Sequence, residues 1–530
     1  MHPKGRLIVY YLTQLLPQIL LILVIFLSLG RNLLPNGNMF LFHDQTQYAR
    51  IIEFSQALKQ LHIPPISAQE FNFGIGYPIF LFYAPLAYWI TSIFYLLGIG
   101  IIEVVKISFL LSMIVAALGM YSWLSSRYSK LASWMGALLF VSSPWFASEI
   151  FVRGNIATTW FLALAPWSLW ALTKTKKYTV IKSLIICATL VTHNALSLLW
   201  IPVLLFYSVL EYHKHRRYRL FLVISSIIMT SFFWVPALLQ LKYTYASEIA
   251  RLTVYRDHFL CINQIWSTAY WGFGGSTKGC IADGMSFMLG KLQLILALMG
   301  IVIGPFFIKR RLGIFTDGLI VFVTIFLTTY DAQLLWAIFS PIQVVQFPWR
   351  LLSISLVFIS ALVAATFQSI IEESQIIAAR DRLNINKPYK KFVRIITNLL
   401  PHMVTSRFRD AHIPSLHSIF IMSLCIVVLV GVSVSSTKFF FGKEISIDQM
   451  RRQFASIKYI SHQAAYDVPE YVPKTVNYAY WQQFRSIEPN MTEITSLEKQ
   501  FNKFQPNNNL QLAGTLLSII ALGFVIICLR

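Results

Sequence analysis

Long apolar runs alternate with short polar or basic segments along most of the chain. A helix needs about 20 apolar residues to cross the hydrocarbon core of a bilayer, and many of these runs approach that length. We therefore predict membrane-spanning helices at residues 104–124, 131–147, 155–173, 179–194, 195–212, 218–239, 289–308, 314–330, 350–369, 417–435 and 511–529. The apolar run after Lys4 and Arg6 lacks a small-residue cleavage site, so we expect a retained first span rather than a signal peptide.

The basic residues of the short loops predict the orientation of these spans. Lysine and arginine are enriched on the cytoplasmic side of membrane proteins. They recur at Lys4/Arg6, Arg127/Lys130, Lys174/Lys176/Lys177, Lys214/Arg216/Arg217/Arg219, Lys309/Arg310/Arg311 and between Arg380 and Arg409. If all of these are cytoplasmic, both termini lie in the cytoplasm. Loops 30–77 and 240–288 and the tail 437–510 are then external, and the basic loop 370–416 is cytoplasmic.

Two apolar segments do not fit this alternation. A full span over residues 78–98 would reverse every later loop, and the segment contains Pro78 and Pro85. Residues 333–348 also contain prolines. We expect both segments to be re-entrant or juxtamembrane, packed on protein where a broken backbone can find hydrogen-bond partners. The expected fold is an all-α polytopic membrane protein with about 12 (roughly 11–14) transmembrane helices.

The chain is expected to divide into three parts. Residues 1–436 would form a transmembrane domain with a large first external loop. Residues 437–510 are polar and would form a small external cap, and residues 511–530 would form a C-terminal transmembrane helix.

Composition and charge agree with a membrane protein. The chain is 56% hydrophobic and 12% charged, with a mean hydropathy of +0.61, whereas soluble domains carry about 25% charged residues. The net charge of +22 would suggest nucleic acid in a soluble protein. Here the charge lies in short loops between apolar runs, so it indicates topology, and no nucleic-acid partner is expected.

The cysteines contain no CxxC pair, so no zinc site is expected. Cys261 and Cys280 share a predicted external loop. Either a disulfide in an oxidising compartment or two free thiols agrees with the sequence.

The first external loop carries the best-placed acid of the N-terminal half, Asp44. Apolar residues recur at helical spacing after it, so we predict an amphipathic helix over Gln45–Leu61 that lies on the membrane. Asp44 would occupy the N-cap position with Gln47 at N3, and a capping box accounts fully for the aspartate. Capping and catalysis are compatible, because a helix start holds a carboxylate rigidly.

Charged and imidazole side chains also occur at the other predicted external corners. Ionisable groups at membrane level are costly and usually functional. Each one alone fits a solvated loop charge or a helix cap equally well, so the functional interpretation depends on their convergence on one face. The residues expected to join Asp44 in binding substrate or donor are His43, Glu149, Arg153, His193, Arg256 and Arg350.

The sequence has no GxxxxGK[ST] phosphate loop, no HExxH and no GxSxG. Soluble nucleotide-dependent chemistry is therefore unsupported, and an external enzyme would need an activated group delivered on a lipid. Arg153, Arg256 and Arg350 are suitable partners for a lipid phosphate, because a guanidinium can bind phosphate through two parallel hydrogen bonds.

The chain resembles the GT-C superfamily of integral membrane glycosyltransferases. The similarity is carried by FHDQTQYARIIEFSQAL and FGIGYPIFLFYAPL, by RGNIATTWFLALAPWSLWAL, by the THN turn and QFPWR, and by EYVPK in the tail. These motifs are similar to a bacterial branch often labelled 6-pyruvoyl-tetrahydropterin-synthase-related membrane proteins. The resemblance covers about residues 1–350 and, weakly, the tail. By position, Asp44 matches the family's catalytic acid, and Glu149 sits where a second acidic motif often occurs.

The resemblance implies transfer of a sugar from a polyprenyl-phosphate donor to a glycan, lipid or protein acceptor, outside the cytoplasm and among the lipids of a bacterial inner membrane. Asp44 would act as general base on an acceptor hydroxyl, and arginines would stabilise the departing phosphate. The sequence departs from the family in having Asp-Gln-Thr where other members have a DxD pair. This puts a divalent metal in doubt, and no cofactor is expected.

Two other functions remain open from the residues. A lipid or polysaccharide transporter or flippase would carry ionisable groups in mid-span and related halves, but Lys106 and Lys182 lie near predicted span ends. A non-catalytic membrane assembly protein would use Asp44 only as a cap. A transferase should gather its acids, His193 and Arg350 around one outward cavity with an opening toward the lipid.

Overall fold

The structure, a computed structural model, is helical along most of the chain. It describes residues 15–35, 38–173, 177–210, 215–246, 248–249, 255–267, 276–281, 283–309, 311–383 and 416–527. Several residues that predict the orientation lie outside the described residues, namely Lys4, Arg6, Lys174, Lys176, Lys214, Arg310 and residues 384–415.

The described helices and strands follow the apolar pattern. In chain order they are α1 Leu15–Leu29, β1 Asn38–Leu41, α2 Gln47–Lys59, α3 Ile79–Phe82, α4 Leu86–Leu96, α5 Ile101–Ser125, α6 Lys130–Val141, α7 Pro144–Phe151, α8 Ile156–Ala171, α9 Thr179–Leu190, α10 Asn194–Leu210, α11 Arg216–Met229, α12 Ser231–Leu241, α13 Ile262–Trp266, α14 Lys291–Phe307, α15 Arg311–Phe326, α16 Gln333–Ile338, α17 Leu352–Leu383, α18 Leu416–Phe439, β2 Lys443–Ser446, α19 Ile447–Phe454, α20 Tyr478–Gln483, α21 Met491–Phe501 and α22 Asn508–Ile527. Each predicted span coincides with one of these helices or with two consecutive ones.

Within the part of the chain that the structure describes, three helices are long and apolar enough to cross a membrane by themselves. They are α5, α22 and the continuous segment Pro348–Glu373, which contains the start of α17. Helices α11 and α12 reach this length together, with a bend of 59° between them. Other apolar helical segments have 10–17 residues, and of α18 they include only the part Cys425–Phe439. The total of about 12 spans therefore stays a prediction.

The predicted break in residues 78–98 is present, and its backbone is satisfied by protein. Helix α4 has 11 residues, about 16 Å at 1.5 Å per residue and too short for a bilayer core. The side-chain amide of Asn194 accepts a hydrogen bond from the Ala84 N–H at 2.8 Å and donates one to the Phe82 carbonyl at 2.7 Å. One asparagine at the start of α10 therefore pairs both polar groups that the break leaves free.

Helix α17 lies at the centre of the bundle, in contact with α6, α14 and α15. Its buried serine hydroxyls donate to carbonyls four residues earlier, as Ser355 and Ser360 do, so they need no partner from outside the helix. Gly300 of α14 meets the Leu362 carbonyl of α17 where any Cβ would overlap it. A small residue thus permits the close helix approach that is typical of membrane bundles.

Helix α2 departs from its predicted setting. The sequence predicts an amphipathic helix that lies on the membrane with its polar side exposed. In the structure the polar side is buried as well, at Gln47, Arg50 and Glu53. Arg50 donates to the Tyr88 hydroxyl at 3.3 Å, and Glu53 accepts from the Glu70 N–H at 2.8 Å. The expectation was wrong because residues distant in sequence supply partners for the polar face.

The tail, residues 437–510, packs on the loop of residues 30–77, and both are predicted to be external. Strand β2 pairs antiparallel with β1, in a register that sets Met39 opposite Ile445. The indole N–H of Trp481 donates to the Asn72 side chain at 2.8 Å, and both residues are buried. The two chain segments therefore share one layer of structure next to the bundle.

Cys261 and Cys280 are joined by a disulfide, with their Cα atoms 5.5 Å apart. Of the two alternatives that the sequence left open, the structure has the crosslink.

Candidate functional site

The backbone at Asp44 is held against the turn that follows α7. The N–H groups of His43 and Asp44 donate to the carbonyls of Val152 and Arg153, at 2.9 and 2.8 Å. Gly154 has a φ of +66°, and a Cβ at this position would overlap the ring of Phe42. The loop and the turn can therefore lie this close only because residue 154 is glycine.

The carboxylate of Asp44 does not cap a helix. Helix α2 begins at Gln47 with Thr46 at its N-cap, and no side chain caps it. The carboxylate instead accepts a hydrogen bond of 2.7 Å from the Asn155 amide and lies 3.1 Å from Nδ1 of His43. The capping-box alternative is therefore wrong, and Asp44 presents a carboxylate that is 25% exposed.

Glu149 and Arg153 form a buried ion pair at the end of α7. Nη1 of Arg153 donates to both carboxylate oxygens of Glu149, at 3.1 and 2.8 Å. The guanidinium packs over the Trp349 ring, 4.6 Å from its centroid, and its Nη2 lies 3.9 Å from the Asp44 carboxylate. Arg153 thus stands between two acids, tightly bound to one and in loose contact with the other.

The surroundings of Asp44 keep it ionised. Burial alone would raise its pKa, but the hydrogen bond from His43 and the positive charges of Arg153, His43 and Arg50 hold the pKa well below its usual range. The same hydrogen bond to Asp44 raises the pKa of His43. The site therefore contains a permanent anion among several cationic groups.

Arg350 is the last residue of the QFPWR motif and turns its guanidinium inward. Its Nη1 donates to the Val345 carbonyl at 2.7 Å, and the group lies over the Phe347 ring at 4.7 Å. Its Nε is buried with no hydrogen-bond partner among the described residues. An arginine with unused hydrogen-bonding capacity is suited to bind an anion.

His193 lies in the turn before α10. Its Nδ1 accepts a hydrogen bond from the Leu196 N–H at 3.3 Å, so a neutral ring carries its proton on Nε2. The sequence allowed this histidine to be bonded to a helix end, and the structure has that bond. His193 also lines a cavity together with Arg350.

A cavity of about 500 Å³ lies next to these residues. Its apolar wall comes from α12, through Trp234, Ala237, Leu238 and Leu241. Its charged, amide and imidazole side chains are His193, Asn194, Lys242, Gln346, Arg350, Glu470 and Lys474. The volume and the mixed lining are typical of small-molecule sites, which are mostly apolar with a few polar groups.

The candidates predicted from the sequence are only partly brought together. His193 and Arg350 line the cavity. Asp44 and Glu149 do not line it, although the charge of Asp44 acts on both His193 and Arg350. Arg256 is exposed, and its described contacts are with Tyr255. We therefore leave Arg256 out of the site.

Several residues of the site were not predicted. Asn155 is the last residue of the RGN motif and contacts Asp44, and the guanidinium of Arg50 lies 4.5 Å from the Tyr83 ring centroid. Glu470 and Tyr471 reach the cavity from the tail. The only sequence signal for them was the EYVPK motif, which gives no information on what it contacts.

No group of three or more His, Cys, Asp or Glu side chains that could hold a metal ion occurs among the described residues. Metal dependence is therefore a question for experiment.

The family model for the 6-pyruvoyl-tetrahydropterin synthase related domain, a membrane protein domain, matches residues 80–379. This match confirms the branch that the sequence resembles. None of the curated proteins matches the chain.

Some solved glycosyltransferase structures are similar in the arrangement of their chains. The Archaeoglobus fulgidus oligosaccharyltransferase tethered to an acceptor peptide is 11% identical, with 90% of this chain and 59% of that chain covered and a TM-score of 0.49. The oligosaccharyltransferase AglB of that organism, with an inhibitory peptide and a dolichol-phosphate, is 12% identical, with 90% and 60% covered and a TM-score of 0.45. Arabinofuranosyltransferase AftD from Mycobacteria is 12% identical, with 81% and 28% covered and a TM-score of 0.43. The chain thus spans at most 60% of the length of these three proteins.

Proposed function

The chain belongs to the 6-pyruvoyl-tetrahydropterin-synthase-related family of membrane proteins, and from its site we propose that it is a membrane glycosyltransferase that uses a lipid-linked sugar. The observation that carries the proposal is the partly exposed carboxylate of Asp44, which Asn155 holds close enough to Arg350 for the two charges to act on each other. Arg350, unlike Asp44, lines the amphipathic cavity. A carboxylate for the acceptor and a cation for the donor phosphate are the two groups that such a transfer requires.

The donor would occupy the cavity. A polyprenyl phosphate has an apolar chain and an anionic head, and the cavity offers the apolar wall of α12 together with Arg350. As the bond from the sugar to the phosphate breaks, negative charge grows on the phosphate. The unused Nε of Arg350 would then donate to it.

Asp44 would accept the proton of the acceptor hydroxyl. A carboxylate with a lowered pKa is a weak base, so its basicity must rise when the donor binds. Arg153 provides a means for this change, because it lies 3.9 Å from Asp44 while its strong contact is with Glu149. A donor phosphate that attracts the guanidinium would remove positive charge from Asp44 and raise its pKa.

The remaining predicted features belong to this proposal. The protein would span the inner membrane, with its termini in the cytoplasm and the site at the external face. The acceptor would be a glycan, a lipid or a protein. His43 would orient Asp44, and the Nε2–H of His193 would donate to the donor.

Transfer in isolated membranes tests the proposal. Membranes with the wild type, Asp44→Asn or Asp448→Asn are incubated with radiolabelled polyprenyl-phosphate sugars, with and without EDTA. Asp448 is an exposed aspartate in the first turn of α19 and serves as the matched control. Asp44→Asn should lower transfer by about 100- to 10,000-fold, the usual contribution of a general base, whereas Asp448→Asn should not.

The outcomes are distinct. Equal transfer by the wild type and Asp44→Asn, at equal amounts of folded protein, would reject Asp44 as the base. No transfer by the wild type from any donor would reject the transferase in favour of the transporter. Loss of transfer in EDTA that is restored by a divalent cation would overturn the expectation of a metal-independent enzyme.

A further inference from the structure

One wall of the cavity comes from the external tail, far along the chain from the other lining residues. The short 3-10 turn Pro469–Tyr471 brings Glu470 and Tyr471 to the cavity, and Lys474 follows. The turn is anchored to the first external loop, since the Tyr77 hydroxyl donates to the Val468 carbonyl. The tail is therefore part of the cavity as well as a cover over the loop.

Glu470 is a carboxylate without an ion-pair partner among the described residues. The positive charges of Arg50 and Arg350 act on it, but neither forms a salt bridge with it, and burial raises its pKa. Lys474, four residues later, is paired with Glu248 at 2.8 Å instead. The backbone N–H of Glu470 donates to its own carboxylate. The two oxygens of an ionised carboxylate together accept about four hydrogen bonds, so Glu470 can also accept hydrogen bonds from a ligand in the cavity.

Aromatic rings stand beside this carboxylate. Tyr471 stacks on Phe82, with centroids 5.2 Å apart and an angle of 11° between the rings, and Tyr83 meets Tyr471 edge-on at 6.4 Å. All three rings line the cavity with Glu470. A rigid aromatic surface next to an acceptor-only carboxylate matches a ring that has apolar C–H faces and hydroxyl donors at its edge.

We propose that Glu470 binds hydroxyl groups of the donor's sugar ring, packed against Tyr471, and that the tail thereby selects the sugar. This proposal rests on the proposed function, because it places the lipid phosphate at Arg350 and the sugar beside it. The ligand class is a neutral pentose or hexose linked to a prenyl phosphate. The carboxylate accepts hydrogen bonds from the hydroxyls, and no bond forms or breaks at Glu470.

A binding experiment separates the sugar from the lipid phosphate. The probes are farnesyl phosphate and a panel of farnesyl-phosphate-linked pentoses and hexoses, measured by calorimetry on the purified full-length protein in lipid nanodiscs. For each sugar, the measured quantity is the ratio between the Kd of farnesyl phosphate and the Kd of its sugar-linked form. The wild type should show a ratio well above one for at least one sugar.

The variants compare two carboxylates of the tail. Glu470→Gln should lower the ratio by about 10- to 100-fold, the loss expected for hydrogen bonds to a charged group. It should not weaken the binding of farnesyl phosphate itself, because it removes a negative charge from a cavity that is to bind an anion. Glu488→Gln is the matched control, because Glu488 is 67% exposed and pairs with Lys458 away from the cavity. It should keep the wild-type ratio.

Deoxy forms of the preferred sugar locate the contact. Removal of the hydroxyl that Glu470 binds should make the wild type and Glu470→Gln equal in their ratios. A wild-type ratio near one for every sugar, or an unchanged ratio in Glu470→Gln, would overturn the proposal. The binding ratio is measured without turnover, so it does not depend on the outcome of the transfer test of Asp44→Asn. The proposed function and the sugar-binding role of Glu470 can therefore be rejected separately.

Discussion

Asn155 joins Asp44, in the loop before α2, to the start of α8. Its Nδ2 donates to the Asp44 carboxylate at 2.7 Å, and its Oδ1 accepts the Thr158 N–H at 2.8 Å as the N-cap of α8. One side chain therefore has two roles that different substitutions can separate.

Substitutions at Asn155 should distinguish the cap from the contact with Asp44. Asn155→Ser keeps an N-cap oxygen but is too short to reach Asp44, whereas Asn155→Ala loses both. Transfer should fall about 10- to 100-fold in both variants, because a hydrogen bond to a charged group is lost. Stability, measured by thermal unfolding in detergent, should fall by about 1 kcal/mol in Asn155→Ala alone.

Asn490 provides the control for this pair. It caps α21 through the same type of bond to the Glu493 N–H, so Asn490→Ala should lose similar stability while transfer stays at the wild-type rate. Wild-type transfer in Asn155→Ser would show that the bond to Asp44 is not needed.

The apolar helices and the break between residues 78 and 98 could be predicted because the signals are local. Apolar length and proline are properties of a short segment, so the helices and the interruption at Pro85 follow from the sequence. The partner of that interruption could not be predicted, since Asn194 lies more than 100 residues away. The setting of α2 was predicted wrongly for the same reason, because Tyr88 and Glu70 cover its polar side.

Only those residues of the candidate site that belong to short charged motifs could be predicted from the sequence. Asp44 and Arg153 stand out as charges at the ends of apolar runs, and the structure brings them to 3.9 Å from each other. Arg256 has the same sequence appearance but is exposed at a distance from them. Glu470 belongs to a tail whose pairing with the first loop depends on long-range contacts, which spacing does not reveal.

Gly154→Ala should lower transfer as well as stability, because the added methyl disturbs the site in addition to straining the backbone. The positive φ of +66° costs a residue with a Cβ about 1–2 kcal/mol, and the added methyl would also displace Phe42, next to His43 and Asp44. Gly98 has a φ of +88° and open space around its Cβ position. Gly154→Ala should therefore lose both stability and transfer, whereas Gly98→Ala should lose only stability. Equal transfer by the two variants would contradict a role for this close contact.

The buried pair of Glu149 and Arg153 should be strongly coupled. Removal of one partner leaves a buried charge, so Glu149→Ala or Arg153→Ala should lose about 3–5 kcal/mol, and the double variant should lose much less than the sum. The exposed pair of Lys458 and Glu488 is the control, with an expected coupling below about 1 kcal/mol. Denaturation of the wild type, the two single variants and the double variant of each pair measures both coupling energies. Additive losses at Glu149 and Arg153 would mean that their contact contributes nothing.

Glu53 should make the stability of the protein depend on pH. Burial raises its pKa from 4.5 to about 7 in the folded protein, although the Glu70 N–H donates to its carboxylate. Because the folded pKa is above the unfolded one, the unfolded chain ionises first as the pH rises. The wild type should therefore lose stability between about pH 4.5 and 7 and then change no further at this residue.

Glu53→Gln removes the titration but keeps an oxygen that can accept the Glu70 N–H. The difference in Tm between Glu53→Gln and the wild type should therefore shift in favour of the variant as the pH rises from 5 to 8. Glu498→Gln, at an exposed position on α21, should show a constant difference over the same range. A constant difference for Glu53→Gln would mean that this carboxylate is ionised in the folded protein at pH 5. In that case the hydrogen bond from the Glu70 N–H would be made to an ionised Glu53 carboxylate at that pH.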